Sequence, residues 1–369
     1  MGLYEDLGVG RVINVSTTFT ALGGTLMPPE VLDAMHEAAG AFVDMHQLHA
    51  AAGRRVARLT GNEAAHVTSG CAAALVLAVL ACRTGGDPRL IARMPDAPGV
   101  ADEVVMHTAH RIPYDPALRL AGARVRQIGD AMQTFEWELD GAITERTTAV
   151  LYVAGGHLDK GALPLDRVIH IAHQRGVPVI VDAAAQLPPV ENLWYFTREL
   201  GADLAVFSGG KALLGPQASG LMLGTFDLVE AARQNSSPFQ RLARAMKAGK
   251  EEIAGLVTAV ERYVNLDHGT LAREWEQTVQ HWHSELAAIP GVTTAHESRN
   301  EAGQPIPRLR VEVAGAQTIV ENLFAGEPAI AVLPYERQGT VLGFWLSPDL
   351  LSPGEATTVA TEVRRHLGG

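Results

Sequence analysis

The sequence predicts an α/β protein: a mostly parallel, seven-stranded sheet with helices on both faces, followed by a smaller α+β domain. Two observations support this fold class. Short apolar runs alternate with helical patterns as far as residue 225, a rhythm that is typical of parallel sheets. In addition, Asp182 and Lys211 each follow such a run closely, and α/β proteins hold their ligands at the carboxyl ends of parallel strands.

Length, composition and charge restrict the classes of function. At 369 residues the chain is longer than a single hydrophobic core usually supports, so two unequal domains are expected. Its 47% hydrophobic and 19% charged residues are typical of a folded globular protein. The formal charge of −11 and the isoelectric point of about 5.7 argue against a general role on nucleic acids or membrane surfaces.

The remaining bulk features favour the cytoplasm. Cys71 and Cys82 cannot form a disulfide framework, which points to a reducing compartment. The first residues have neither the basic start nor the apolar core of a signal peptide. No apolar run approaches the ~18 residues of a membrane span. We therefore expect a cytoplasmic protein with neither a nucleic acid nor a membrane as its partner.

A long helix is predicted from Met45 to about Thr60, ended by Gly61 as a C-terminal cap. It carries His46 and His49 three residues apart on one face. Because no third ligand is evident, a pair on the helix surface or at an interface is favoured over a metal site. We therefore expect no metal.

A short strand and an alanine-rich helix meet at Ser69-Gly70-Cys71. The N-terminus of a helix offers unpaired N–H groups and the positive end of a dipole, which together form a ready anion site. The small residues 70–74 would let a phosphate approach the backbone, although a simple serine N-cap explains the pattern equally well. Cys71 is interpreted as a small filler, because nothing nearby would acidify its thiol.

The candidate strands of the large sheet are apolar runs bounded by turn residues. They are Leu90–Arg93, Glu103–His107, Val125–Ile128, Thr147–Val153, Val177–Val181, Leu204–Phe207 and Gly220–Leu223. The smaller domain is predicted to contain strands near Arg308–Val313 and Thr340–Leu346, with Leu333–Arg337 in a turn between them.

Asp182 and Lys211 form the central pair of the sequence. A carboxylate at the tip of a buried strand is costly to desolvate unless a cation meets it. Lys211 follows Gly209-Gly210, where the backbone is free to adopt positive φ. One βα unit separates the two residues, so both can face one crevice. A Schiff-base lysine with an aspartate for a protonated pyridine nitrogen is what pyridoxal phosphate (PLP) requires. The alternatives are a helix N-cap for the aspartate and a solvated turn for the lysine.

These motifs resemble the fold type I PLP-dependent enzymes, which are aspartate aminotransferase-like, and within them the group around bacterial selenocysteine synthase, the seryl-tRNA selenium transferase. Inside that group the chain resembles the D-glucosaminate-6-phosphate ammonia-lyase branch. The matching stretches are Ile13–Thr17, Leu22–Gly24, Phe42–Met45, Leu59–Gly70, His107–Arg111, Val179–Leu193, Phe207–Lys211, Gly215–Gln217 and Met246–Ile253. This ordered set is specific for the fold and the cofactor, and much less specific for the substrate.

The resemblance implies a role for each residue of the central pair. Lys211 would form the Schiff base with the cofactor and then move protons at the substrate Cα. Asp182 would pair with the pyridinium nitrogen and keep the ring an effective electron sink. Ser69, Gly70 and Cys71 would hold the phosphate, mainly through backbone N–H groups.

Further residues follow from the same resemblance. Ser208 would add a hydroxyl to the phosphate site, and Lys247 is a possible anion contact that we count among the cofactor-binding residues. His110 would stack on the ring, with Ala184 on the opposite face; a solvated loop histidine is the alternative for His110. Gln186 would reach the phenolic oxygen, at a position where related branches often carry glutamate.

The leading functional hypothesis is a PLP-dependent lyase for a hydroxylated amino acid or amino-sugar acid. It would deprotonate Cα, expel the β-substituent and yield a 2-oxo acid and ammonia. Asn14, His46 and Arg337 are weaker candidates for the substrate pocket. A PLP-dependent aldolase, racemase or β-replacement transferase is the second hypothesis, and a non-catalytic PLP-binding sensor is the third. The motifs around Lys211 do not separate the reactions, because all of them use the same cofactor chemistry.

The pattern along the chain predicts the domain organisation, and the resemblance implies the assembly. An N-terminal segment would span residues 1–45, a large PLP-binding domain 46–255 and a small C-terminal domain 256–369. Fold type I enzymes generally build their sites at a dimer interface, so a homodimer or a larger symmetric homo-oligomer is implied.

Overall fold

The computed structural model describes residues 2–368. Its strands, numbered along the chain, are β1 Val12–Asn14, β2 Ala64–Thr68, β3 Glu103–His107, β4 Arg124–Ile128, β5 Thr147–Val153, β6 Val179–Asp182, β7 Leu204–Ser208, β8 Gly220–Gly224, β9 Val292–Glu297, β10 Arg308–Val313, β11 Ala329–Ala331, β12 Leu333–Arg337 and β13 Thr340–Leu346. Seven of them form one sheet in the order β2-β8-β7-β6-β5-β3-β4. All its pairs are parallel except the two made by β8. The predicted mostly parallel, seven-stranded sheet is confirmed.

The helices are α1 Leu3–Asp6, α2 Pro29–Ala39, α3 Met45–Thr60, α4 Cys71–Thr84, α5 Pro88–Ile91, α6 Pro116–Leu120, α7 Glu136–Ala142, α8 Leu165–Gln174, α9 Asn192–Trp194, α10 Phe226–Asn235, α11 Lys250–Val264, α12 His268–Leu286, α13 Ala316–Ala325 and α14 Glu355–His366. The predicted bounds of α3 are confirmed, and Gly61 ends this helix in the left-handed conformation at φ 66°. Within residues 2–368, none of the helices combines the length and apolarity needed to cross a membrane.

Alternate residues of the central strands enter two separate cores. In β6, Val179 and Val181 pack with residues of α3, α8 and α11, whereas Ile180 packs with residues of α4 and α10. Since successive side chains of a strand point to opposite faces, helices cover both faces of the sheet. α4 lies within the second core, and its residues from Ala73 to Ala81 are all buried.

The strand predicted at Leu90–Arg93 is wrong. Pro88 begins the short helix α5, and the Asp87 carboxylate caps it by accepting the Arg89 N–H at 2.8 Å. A proline in the first turn and an aspartate N-cap are helix signals that outweigh the short apolar run. The seventh strand of the sheet is β2 instead.

The chain forms two compact units: one comprises the residues up to Leu26 together with those from Asp267 onward, and the other runs from Met27 to Leu266. The first unit contains an antiparallel sheet in the order β12-β13-β10-β9 and a parallel pair, β1 with β11. The division predicted from the sequence, with boundaries at residues 45/46 and 255/256, stays a prediction.

The turn predicted at Leu333–Arg337 is wrong, because this segment forms β12 and pairs with β13. Pro334 is tolerated there since β12 lies at the edge of its sheet. The reversal of the chain falls at Gln338 and Gly339, both with positive φ.

Candidate active site

Asp182 and Lys211 lie at the ends of adjacent parallel strands. Asp182 is the last residue of β6, and its register partners are Val153 of β5 and Val206 of β7. Lys211 lies in the turn that follows Ser208, the last residue of β7. The two side chains therefore start from the same edge of the sheet, where an α/β fold holds its ligands.

The Asp182 carboxylate is buried, with 5% of the residue exposed. Its Oδ1 accepts the backbone N–H of Ala184 at 3.1 Å and the thiol of Cys71 at 3.7 Å. Burial raises the pKa of Asp182, while the Ala184 N–H, the Lys211 charge and the Cys71 thiol oppose that rise. A carboxylate in this setting is stabilised in its charged form by a cation. The N-cap alternative for Asp182 is wrong, because α9, the next helix, begins only at Asn192.

The turn that carries Lys211 is shaped by close packing. Gly209 and Gly210 are free to adopt positive φ, but neither does so. A Cβ on Gly209 would lie 2.0 Å from the Ser219 Oγ, and one on Gly210 would lie 2.6 Å from the Gln217 Cα. Glycine is needed here because the segment before β8 approaches the turn too closely for any side chain.

The start of α4 has no side-chain cap, and its role as the phosphate site stays a prediction. Gly70 precedes the helix at φ 130°, a conformation that favours glycine, and none of the described side chains caps this end. A Cβ on Gly220 would lie 2.4 Å from the Gly70 carbonyl carbon, so β8 packs directly beneath the loop. The N–H groups of the first turn are thereby left for an anion.

The serine N-cap alternative is wrong for Ser69. Its hydroxyl donates to the Met246 carbonyl at 2.8 Å, which joins the segment before Lys247 to the loop ahead of α4. The Lys247 side chain is exposed. Gly220 pairs with both Thr68 and Ser208, so the start of α4 and the end of β7 flank one strand. A phosphate contact for Lys247 and Ser208 stays a prediction.

His110 is not the solvated loop histidine of the alternative interpretation, because it is fully buried. Its Nδ1 accepts the Val153 N–H at 3.2 Å, and its ring centroid lies 4.5 Å from that of Tyr152 in an edge-on contact. Burial, with a smaller effect of His107, lowers the pKa of His110 to about 3, so the ring is neutral at pH 7. Stacking on a cofactor ring stays a prediction.

One residue near the site was missed by the sequence analysis. A Cβ on Gly155 would lie 3.1 Å from His157 Cε1 and 3.7 Å from Gln186 Nε2, so both side chains pack close to Gly155 in the loop after β5. The signal was Gly155-Gly156-His157 directly after a strand of the sheet. Gln186 itself donates to the Ala185 carbonyl at 3.0 Å, and its contact with the cofactor stays a prediction.

The weaker substrate candidates Asn14, His46 and Arg337 stay a prediction, and the structure gives the local contacts of two of them. Asn14 and Arg337 belong to the unit that contains β1 and β12. Asn14 bridges its own turn, accepting the Ser16 N–H and donating to the Thr17 carbonyl, both at 3.0 Å. His46 lies in the first turn of α3 and packs against Phe239, with ring centroids 4.7 Å apart.

The interpretation of His46 and His49 as a surface pair is wrong for His49, which is buried against His66 with ring centroids 5.1 Å apart. Burial lowers the pKa of His49 to about 4 and that of His66 to about 3, so both rings are neutral at pH 7. Within the part of the chain that the structure describes, no cluster of three or more His, Cys, Asp or Glu residues could hold a metal ion.

PLP fits this set of donors. The uncapped start of α4 suits a phosphate dianion. The buried Asp182 carboxylate calls for a cation, which a protonated pyridine nitrogen supplies. Lys211, close enough to act electrostatically on both Asp182 and Cys71, provides the amine that PLP requires.

Comparisons with known proteins agree with this assignment. The family model "Aminotransferase class-V" matches residues 23–332. The chain is 35% identical to the D-glucosaminate-6-phosphate ammonia lyase of Salmonella typhimurium, over 98% of this chain and 97% of that protein. It is equally identical, 35%, to a 5'-C-glycyluridine monooxygenase-decarboxylase of a Streptomyces species, over 96% of this chain and 90% of that protein. An L-seryl-tRNA(Sec) selenium transferase of Desulfovibrio desulfuricans shares 28% identity over 67% of this chain and 53% of that protein.

A solved structure of D-glucosaminate-6-phosphate ammonia-lyase superposes with a TM-score of 0.86 at 35% identity, covering 100% of this chain and 98% of that one. The predicted resemblance, fold and cofactor are thus confirmed. The chain belongs to the class-V aminotransferase family and is a fold type I PLP-dependent enzyme.

Proposed function

We propose that this protein is a PLP-dependent ammonia-lyase for a hydroxylated amino acid or amino-sugar acid. The observation that carries the PLP-dependent part of the proposal is the placement of buried Asp182 and of Lys211 at adjacent strand ends, close enough for the lysine charge to act on the carboxylate. The full-length similarity to D-glucosaminate-6-phosphate ammonia lyase supports this choice of reaction. In the net reaction, a 2-amino-3-hydroxy acid loses ammonia and becomes a 3-deoxy-2-oxo acid. The water expelled from Cβ is balanced by the water that later releases ammonia.

Each residue contributes a distinct physical task. When bound, PLP supplies an electron sink for the electrons released at the substrate Cα. Lys211 Nζ takes the Cα proton, and the Schiff-base role predicted for it belongs to this proposal. Asp182 would hold a compensating negative charge for the protonated ring nitrogen. The N–H groups at the start of α4 bind the phosphate, so the cofactor is anchored away from the reacting bonds.

A second candidate is an oxygen-dependent decarboxylation of an amino acid. It is favoured by one observation, the equal 35% identity to a monooxygenase-decarboxylase over 96% of this chain. The two reactions differ in their demands: the elimination needs no oxidant, whereas the oxidation consumes O2 and releases CO2.

The test is to incubate the PLP-loaded enzyme with hydroxylated amino acids of both configurations and with D-glucosaminate-6-phosphate, under air and under nitrogen. We expect one molecule of ammonia for each molecule of 2-oxo acid, and the same yield under air as under nitrogen. Product formation only under air, together with CO2, would replace the proposal with the oxidative reaction. Glycine with an aldehyde, or a racemised substrate, would indicate the aldolase or racemase. Binding of amino acids without any turnover would indicate the sensor.

We also propose that the protein is a cytoplasmic homodimer or a larger symmetric homo-oligomer. The acidic composition and the family similarity support this. Light scattering of the PLP-loaded protein tests the assembly, and a monomer mass at micromolar concentration would contradict it.

A further inference from the structure

We propose that Cys71 is a positioning residue, whose thiol holds the Asp182 carboxylate in place for the pyridine nitrogen of PLP. The inference rests on the cofactor and not on the proposed reaction. Cys71 is the first residue of α4, so its backbone N–H belongs to the phosphate site, while its Sγ donates to Asp182 Oδ1 at 3.7 Å. One residue thereby links the two ends of the cofactor site.

The carboxylate is held on one side only. Oδ1 takes both of its donors, the Ala184 N–H and the Cys71 thiol. Oδ2 accepts no hydrogen bond from any residue between 2 and 368. Two donors on one oxygen restrict rotation about the bond to the carboxylate, and the free oxygen stays available to a cationic N–H partner.

The surroundings keep Cys71 a donor. Burial and the neighbouring Asp182 charge raise the pKa of its thiol well above the ordinary value, although Lys211 opposes this. The thiol therefore stays protonated at neutral pH and is a poor nucleophile. A thiol is also a weaker donor than a hydroxyl, so it orients the carboxylate while leaving most of the negative charge for the pyridinium.

The simplest competing explanation is that Cys71 only fills space, as the sequence suggested. Two substitutions distinguish a space-filling role of Cys71 from a hydrogen-bonding role. Cys71→Ala removes both volume and donor, whereas Cys71→Ser also reduces volume but retains a donor within reach of Asp182. Cys82, on the same helix and also partly buried, is the matched control, since its thiol donates to none of the described carboxylates.

The experiment uses PLP-loaded enzyme and measures two quantities without turnover: the Kd of PLP and the pH midpoint of the visible absorbance band of the bound cofactor. We expect Cys71→Ala to weaken PLP binding about five-fold, as the loss of one weak hydrogen bond to a charged group implies, and to shift the pH midpoint. Cys71→Ser should stay within about two-fold of the wild type, and Cys82→Ala should match it.

A double-mutant cycle with Asp182→Asn completes the test. If Cys71 acts through Asp182, the effect of Cys71→Ala on PLP affinity disappears in the Asp182→Asn background. Equal losses in Cys71→Ala and Cys71→Ser, an unchanged pH midpoint in Cys71→Ala, or an undiminished effect beside Asp182→Asn would each overturn the inference. Because no substrate is present, these outcomes leave the ammonia-lyase proposal untouched.

Discussion

Buried charged groups differ in their partners at the two ends of the strands in the seven-stranded sheet, the amino ends and the carboxyl ends. At the amino ends of β3, β4 and β5, the buried Arg83 guanidinium donates to the carbonyls of Ala101, Pro95 and Ala121. Nearby, Asp102 pairs with Arg146 at 2.8 Å. At the carboxyl ends, Asp182 keeps a free oxygen and the start of α4 has no side-chain cap.

This difference separates a structural region from a functional one. Arg83 donates three hydrogen bonds to carbonyls of its own chain, and so it stabilises the fold. Asp182 lies where burial disfavours its charge, and so it is suited to an external cation. Helix α4 runs from the carboxyl ends of the strands to their amino ends, with Cys71 in its first turn and Arg83 in its last. Substitutions at the two ends of the strands should therefore affect different measurements.

The largest expected effect is at Lys211. Replacing it with alanine removes the group that moves the Cα proton, so turnover of PLP-loaded enzyme should fall by about 1,000-fold or more. The unfolding free energy should change little, because the side chain is only partly buried. Steady-state kinetics and chemical denaturation measure the two effects. Lys160→Ala, in an exposed loop, is the control, and a loss of activity in it would contradict the assignment.

Arg83→Met should show the reverse pattern. Methionine cannot donate to the carbonyls of Ala101, Pro95 and Ala121 at the amino ends of the strands. We therefore expect a loss of about 3 kcal/mol in the free energy of unfolding. Turnover per folded molecule should be preserved. Urea denaturation with a parallel activity assay tests this. The exposed Arg89 is the matched control, and Arg89→Met should leave the free energy of unfolding almost unchanged.

Asp182→Asn should stabilise the cofactor-free protein while impairing the enzyme. Because burial raises the pKa of Asp182 in the fold, the ionised carboxylate destabilises the folded state as pH rises above the ordinary value of 3.8. The amide removes this penalty, and we expect a gain of about 1 kcal/mol at pH 7 that shrinks as the pH is lowered. Denaturation at several pH values measures it, and a loss of stability at pH 7 would contradict the account.

Ser69→Ala should have the smallest effect. It removes the hydrogen bond to Met246 but leaves the N–H groups of α4 in place, so PLP affinity should fall about five-fold with little change in stability. Titration of the apoprotein with PLP measures this. Pyridoxal, which lacks the phosphate, serves as the reference ligand for the wild type. If Ser69→Ala bound PLP as weakly as the wild type binds pyridoxal, the hydroxyl and not the helix start would be the main phosphate contact.

The sequence predicted those parts of the fold that depend on local pattern. β5 was placed by an apolar run and α3 by a helical pattern with a glycine cap, and the bounds of both are confirmed. Local reasoning failed where two signals competed. At Pro88 the helix cap outweighed an apolar run, and at Leu333–Arg337 pairing with β13 outweighed the proline.

The site divides in the same way. Asp182 and Lys211 could be predicted because a polar residue at the end of an apolar strand is conspicuous and the carboxyl edge brings such ends together. The contact between Cys71 and Asp182 joins residues 111 apart in sequence and depends on the position of the start of α4 relative to the end of β6. The burial of His110 beside Tyr152 is likewise a product of packing between strands. No local pattern encodes such contacts.

The most direct test of the central claim is to reduce the PLP-loaded enzyme with borohydride and locate the cofactor by peptide mass mapping. The chain offers Lys160, Lys211, Lys247 and Lys250 as attachment points. We predict a stoichiometric label on Lys211. A label on any of the other lysines, or none at all, would contradict the account.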